Sequence, residues 1–407
     1  MADQTGVQHS RIEVLPAFIG TVIGACALYF IMNAMQPMLA QNTVISDFGS
    51  MLGGCMTGLV PEQVHWFFAD FTETTFIASL PASIGLVVGA LIAAHLEVKG
   101  SPLSGTGVDG NGRIYGRLTL ASGISVALGI VFFGNITPGF TGWIPTFAVL
   151  LVVQPLIIQF GASPAKLATC ILLATLATFP VAYLIIQNVV TPLAVPLFVG
   201  VSISVVIVVP ILNAVCKALP WMDPEPKPAP TADASEPKEP SPATFFVNRV
   251  FGDIGELAIT GSSISTVLMY TGAIVAWIMN PFEPAYGAGN LPLLIASQII
   301  VAALAIFIYY PKWKRDGFIF TFAGVVFVSA IVGGYCATGT PADFIIAGIT
   351  ILIGAVVFAP LIEAIMTLFK FNGSYPAIPL IQAGIFPLVT AWALLLNSVI
   401  VPVLSTM

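Results

Sequence analysis

The apolar residues of this chain fall in blocks of roughly 18 to 26, the length at which a helix crosses the hydrocarbon of a bilayer. A chain with many such blocks has few solutions. Inside lipid every backbone N–H and C=O must be satisfied internally, which leaves helices and closed barrels, and blocks of this length are helical. Composition agrees: of 407 residues 57% are hydrophobic and 8% charged, against about 25% charged in soluble domains. So little charge cannot cover a water-facing surface. The expected fold is an all-α polytopic membrane protein.

Spans are expected at 14–36, 74–96, 117–135, 143–161, 165–187, 192–217, 254–279, 291–310, 317–336, 343–369 and 377–402. The stretch 45–60 is short and glycine-rich and reads as re-entrant or interfacial, which gives eleven spans, or twelve if it crosses. The opening MADQTGVQHSR has no basic run, so the block at 16–40 is expected to remain as a helix rather than be cleaved as a signal. Basic residues orient the layout, because cytoplasmic loops are rich in Lys and Arg. With the N-terminus inside, all 13 fall on one side: Arg11, Lys99, Arg113, Arg117, Lys166, Lys217, Lys227, Lys238, Arg249, Lys312, Lys314, Arg315 and Lys370. None then lies deep in a span. This implies a plasma membrane protein, of the bacterial inner membrane type, with a cytoplasmic N-terminus.

Asp223 to Ser241 reads DPEPKPAPTADASEPKEPS, a composition that cannot bury a core. A disordered cytoplasmic linker is expected over 218–250. It separates an N-terminal unit (1–62), a first five-helix half (63–217) and a second (251–407). The halves share landmarks in the same order. Phe68-Ala-Asp70-Phe-Thr-Glu73 matches Phe251-Gly-Asp253-Ile-Gly-Glu256, Ser79 meets Ser262, and Gly89-Ala90 meets Gly272-Ala273. Thr146-Phe147-Ala148 matches Thr321-Phe322-Ala323, and the Pro192…Pro196-Leu197 motif matches Pro376…Pro379-Leu380. Five spans per half is an odd number, so the halves would be inverted across the membrane, in a 5+5 arrangement with one extra N-terminal helix. Inverted repeats are the build of many secondary transporters.

Asp70 with Glu73, and Asp253 with Glu256, each share a helical face at i,i+3. The spans place each pair at the start of the first helix of its half. There it either caps the helix or holds a cation or proton, since acidic groups at membrane depth are costly and kept for use. On opposite faces, the pairs would act as two gates. Pro192, Pro196, Pro376 and Pro379 would either start a helix or interrupt one and free carbonyls for a binding site. Gln382 follows the second proline pair by a turn. Glu363 would face a cavity or sit at the cytoplasmic edge.

Cys26, Cys55, Cys170, Cys216 and Cys336 are scattered singly, and His9, His65 and His95 are the only histidines. This pattern argues against zinc, haem or a disulfide framework. No GxxxxGK[ST], HExxH or serine-hydrolase motif occurs, and no basic patch for nucleic acid. No cofactor and no enzymatic activity are expected. The leading expectation is a permease that moves a small polar metabolite or ion by alternating access, coupled to H+ or Na+. The alternatives are a membrane subunit of a multi-protein, phosphotransferase-like uptake system, and a channel. Its partners would be the bilayer, the solute, and either further copies of itself or a soluble protein docked at the linker.

Overall fold

A computed structural model of the chain describes residues 10–99, 101, 104, 114–135, 143–223, 240–284, 289–336, 339–371 and 376–404. Among these there are helices and no strands. The helices are α1 (Leu15–Leu39), α2 (Phe48–Met56), α3 (Val60–Glu73), α4 (Leu80–Val98), α5 (Tyr115–Gly129), α6 (Leu150–Phe160), α7 (Pro164–Ile185), α8 (Thr191–Leu193) and α9 (Leu197–Ala218). After the linker follow α10 (Pro242–Glu256), α11 (Ser263–Met279), α12 (Leu291–Asp316), α13 (Phe322–Tyr335), α14 (Pro341–Leu368), α15 (Ile378–Leu395) and α16 (Val401–Leu404).

Among the described residues, eight helical stretches are long and apolar enough to cross a membrane: 11–39, 80–97, 115–134, 164–193, 197–218, 291–316, 341–368 and 378–404. The apolar helices at 145–160, 263–279 and 322–335 are shorter. The last of these rises only about 21 Å at 1.5 Å per residue, against a hydrocarbon core of about 30 Å. It survives because protein surrounds it, with every residue from Ala323 to Val332 buried. α1 is the opposite case, and presents Ile19, Ile23, Phe30 and Ile31 outward. Such an apolar exterior suits lipid and not water. The chain is a helical membrane protein.

The stretch at 45–60 holds the nine-residue α2, which reaches about 14 Å and is too short to cross. Two helices depart from the expected layout. α3 covers residues read as a loop before the second span, and α10 covers 242–250, read as linker. Both carry polar residues on one face, so they lack the uniform apolarity that marks a span. Residues 218–223, also read as linker, pack against the helices, with Met222 buried and the Asp223 carbonyl accepting from Lys166; 224–239 lies outside the described residues.

α4 and α11 cross with their backbones nearly in contact. A Cβ on Gly85 would stand 2.1 Å from the Leu268 carbonyl oxygen, one on Gly89 2.6 Å from Ser265 Cα, and one on Gly272 2.1 Å from the Pro81 carbonyl oxygen. Only glycine permits helix backbones to meet this way. The contact is reciprocal, for Gly89 and Ala82 of one half correspond to Gly272 and Ser265 of the other, 183 residues on.

Candidate functional site

The acidic pairs do not open helices. Asp70 and Glu73 lie in the last turn of α3, and Asp253 and Glu256 in the last turn of α10. Both helices stop at the same kind of break. After Glu73 the chain turns through Phe76 (φ 63°) and Ala78 (φ 50°), and after Glu256 through Ile259 (φ 58°) and Gly261 (φ 54°). The Phe76 N–H donates to the Glu73 carbonyl at 2.9 Å, and the Ile259 N–H to the Glu256 carbonyl at 3.0 Å. Ser79 and Ser262 are then the N-caps of α4 and α11. A left-handed backbone at Phe or Ile is costly, and such strain persists where the surroundings impose it. Here it is imposed twice, at matching positions.

The breaks place both glutamates on one cavity. Glu73, Thr74 and Phe76 line it from one half, and Glu256, Leu257 and Ile259 from the other. Phe147 and Phe322, matched residues of the two halves, also line it. This corrects the expectation of two separate gates. The cavity measures about 40 Å³, which holds a bare ion or a few waters. The C-terminal ends of α3 and α10 meet there and bring the negative end of each helix dipole, so the site favours positive charge before any side chain is counted.

Beneath the glutamates the halves differ. Arg249 was expected in a cytoplasmic loop, but it is 1% exposed. Its Nε donates to Asp253 at 2.7 Å, and a guanidinium NH₂ group donates to Glu256. The rings of Trp313 (4.4 Å) and Phe318 (5.9 Å) cover it. Arg249, Asp253 and Glu256 stand at i, i+4 and i+7, a single stripe of α10, and that spacing was the available signal. In the first half the residue at the Arg249 position is Trp66. Its indole N–H donates to Thr146 at 2.8 Å, and it packs edge-on to Trp143 at 6.0 Å.

Asp70 is fully buried, beside Thr146 and Glu73. By distance and angle neither of its oxygens makes a regular hydrogen bond. The Thr146 hydroxyl has a single hydrogen, for which the Trp143 carbonyl at 2.9 Å competes with Asp70. Among the described residues no basic side chain pairs with Asp70.

Other expected site residues sort themselves by position. Gln382 lines the same cavity and accepts from Ser202 at 2.8 Å, tying α15 to α9. The prolines mostly open helices: Pro196 is the N-cap of α9, Pro379 lies in the first turn of α15 and Pro376 just before it. Pro192 instead lies in the last turn of the helical stretch 164–193, before Ala194 turns left-handed at φ 50°. Glu363 pairs with Lys312 at a partly exposed position and stays away from the cavity. A broader apolar groove, lined by Phe68, Ile84, Val88 and Leu120, faces outward and carries no ionisable group.

Gln298 lies in α12. Its Nε2 donates to the Thr75 carbonyl and to Ser329, both at 2.9 Å, and its Oε1 accepts from Tyr270 at 2.7 Å. It thus satisfies a carbonyl that the first break exposes. Gln298→Leu should cost about 1–3 kcal/mol by leaving buried polar groups unpaired, read as a lower unfolding temperature in detergent. An unchanged temperature would mean that Gln298 does not hold the break.

Comparison with known protein families, curated proteins and solved structures finds no match.

Proposed function

We propose that the chain is a secondary transporter, with two inverted halves that alternate access to the cavity between them. The observation that carries this reading is the convergence of Glu73 and Glu256, each from the end of a broken helix, on a single cavity. Discontinuous helices with ion or substrate at their ends are a recurrent transporter design. The matched breaks and the reciprocal α4–α11 crossing support a two-fold relation between the halves. Contacts at helix ends support the orientation drawn from the basic residues. Arg117 at the start of α5 donates to the Ala162 carbonyl after α6, Lys166 at the start of α7 to the Asp223 carbonyl after α9, and Arg11 to the Ile308 carbonyl of α12. Under that orientation the N-terminus and linker are cytoplasmic, α3 approaches the cavity from outside and α10 from the cytoplasm. Counting the three shorter apolar helices, α6 with the turn before it, α11 and α13, as crossings would give the proposed five per half.

At about 40 Å³ the cavity fits an ion. A polar metabolite needs the halves to part, since small-molecule pockets occupy about 300–1,000 Å³. The coupling ion is H+ or Na+, and the membrane is a plasma membrane of the bacterial inner type.

Reconstitution into vesicles tests the reading. A small metabolite from a screened library should be taken up in response to an imposed proton or sodium gradient and should raise the unfolding temperature by mass action. Glu73→Gln and Glu256→Gln should each reduce uptake at least tenfold while the protein still purifies as a folded species. Ion current without saturation would favour the channel reading, and no uptake without a copurifying soluble protein would favour the uptake-subunit reading.

A further inference from the structure

We infer that Asp70, with Glu73 and Thr146, holds one exchangeable monovalent cation, and that Arg249 is a tethered cation filling the matching site of the second half. The inference deepens the transporter reading, and rests on it only for what the cation would drive.

The argument is a comparison of the molecule with itself. Asp70, Glu73 and Thr146 correspond to Asp253, Glu256 and Thr321, and Thr321 lies beside Asp253 as Thr146 lies beside Asp70. Trp143 corresponds to Phe318, and both rings flank the residue at the Trp66 or Arg249 position. The frame is shared and the charge is not. The second half sets a guanidinium between its carboxylates. The first sets a neutral indole in that position, which donates to Thr146 and to neither carboxylate. A buried carboxylate short of donors is too costly to leave bare, and both Asp70 oxygens are buried and make no regular hydrogen bond, with one Thr146 hydrogen at most to share. What the second half supplies covalently, the first must take from solution.

The donor set fixes the class of ligand. Two carboxylates, a hydroxyl and the carbonyls of a helix end are hard oxygen donors. Among the described residues there is no group of three His, Cys, Asp or Glu side chains able to hold a metal. The site therefore offers oxygen to a proton or an alkali cation and offers nothing to a transition metal. Ionisable groups in reach of Asp70 are Glu73 on its own helix and the Cys55 thiol on α2, which Glu62 also influences. The turn at 144–149 brings Thr146, and α4 brings Ser83, whose hydroxyl meets Thr72.

The test is the unfolding temperature of the full-length protein in detergent. It is followed from 1 to 100 mM NaCl, with choline chloride holding ionic strength, and from pH 5 to 9 without sodium. Wild type should rise by about 3 °C or more in one arm. A response to sodium identifies an alkali cation, and a response to acid alone identifies a proton. Asp70→Asn should abolish it. Trp66→Arg, which puts a tethered cation into the first half, should also abolish it in folded protein, and Asp70→Asn decides the matter if that variant does not fold. A wild type flat in both arms, or an Asp70→Asn variant that still responds, would overturn the inference. Vesicle uptake separates this result from the transporter reading. A cation response lost in Asp70→Asn, in a protein that moves no solute, leaves the site standing and removes the transporter. Uptake indifferent to cations does the reverse.

Discussion

Arg249→Met should be among the most destabilising single substitutions in the molecule, at about 3–5 kcal/mol. The side chain volume is nearly kept, so packing against Trp313 and Phe318 changes little. What changes is charge. Asp253 and Glu256 are buried, and each gives one oxygen to the guanidinium and has a second without a partner. Removing the cation leaves two adjacent carboxylates with no compensation, and the cheapest remedy is to protonate them. The variant should therefore unfold at lower temperature at neutral pH and recover as the pH falls. The double substitution Arg249→Met with Glu256→Gln should recover part of the loss at neutral pH, because one of the unpaired charges is gone. A double-mutant cycle on purified protein reads this coupling directly. Equal losses in the single and double variants would show that Arg249 acts through shape alone.

The second large effect lies at the α4–α11 crossing. Gly85→Leu and Gly272→Leu should prevent the native helix pair from forming. Even the first added carbon would stand 2.1 Å from a backbone oxygen of the facing helix. Backbone atoms cannot rotate away as a side chain can, so the helices must separate, and overpacking costs of about 1–3 kcal/mol for yielding sites are a lower bound. Gly348→Leu in α14 is the control. That glycine has no atom within 4 Å of an added Cβ, and the variant should purify like wild type. The readout is the fraction of monodisperse protein after extraction. Similar yields for all three variants would mean that the close crossing is not needed for folding.

Much of this was legible in the sequence, and the reasons are uneven. Long apolar blocks such as 291–310 announce a buried helix without ambiguity. The landmarks Asp70/Asp253, Ser79/Ser262 and Gly89/Gly272 lined up because residues at strained or crowded positions cannot drift. α3 and α10 escaped because a helix that enters protein end-on, with carboxylates in its last turn, has neither the length nor the apolarity of a span. Missing them put the acidic pairs at the wrong ends of helices and on separate faces. Arg249 escaped for a related reason. Counting basic residues by loop treats every arginine as a solvated charge, and only its i, i+4, i+7 relation to Asp253 and Glu256 hinted otherwise. The burial of Asp70 without a donor was not legible at all, because it depends on where the single hydroxyl hydrogen of Thr146 goes.

The crossing of α4 and α11 also limits how the molecule can move. Where two backbones touch through glycine, a shift along either helix axis soon drives a residue with a side chain against a carbonyl. Turning is resisted as well, because the close approaches are spread along both helices, from Pro81 facing Gly272 through Gly85 facing Leu268 to Gly89 facing Ser265. The pair should therefore travel as one stiff beam, and any relative motion of the halves must be taken up elsewhere.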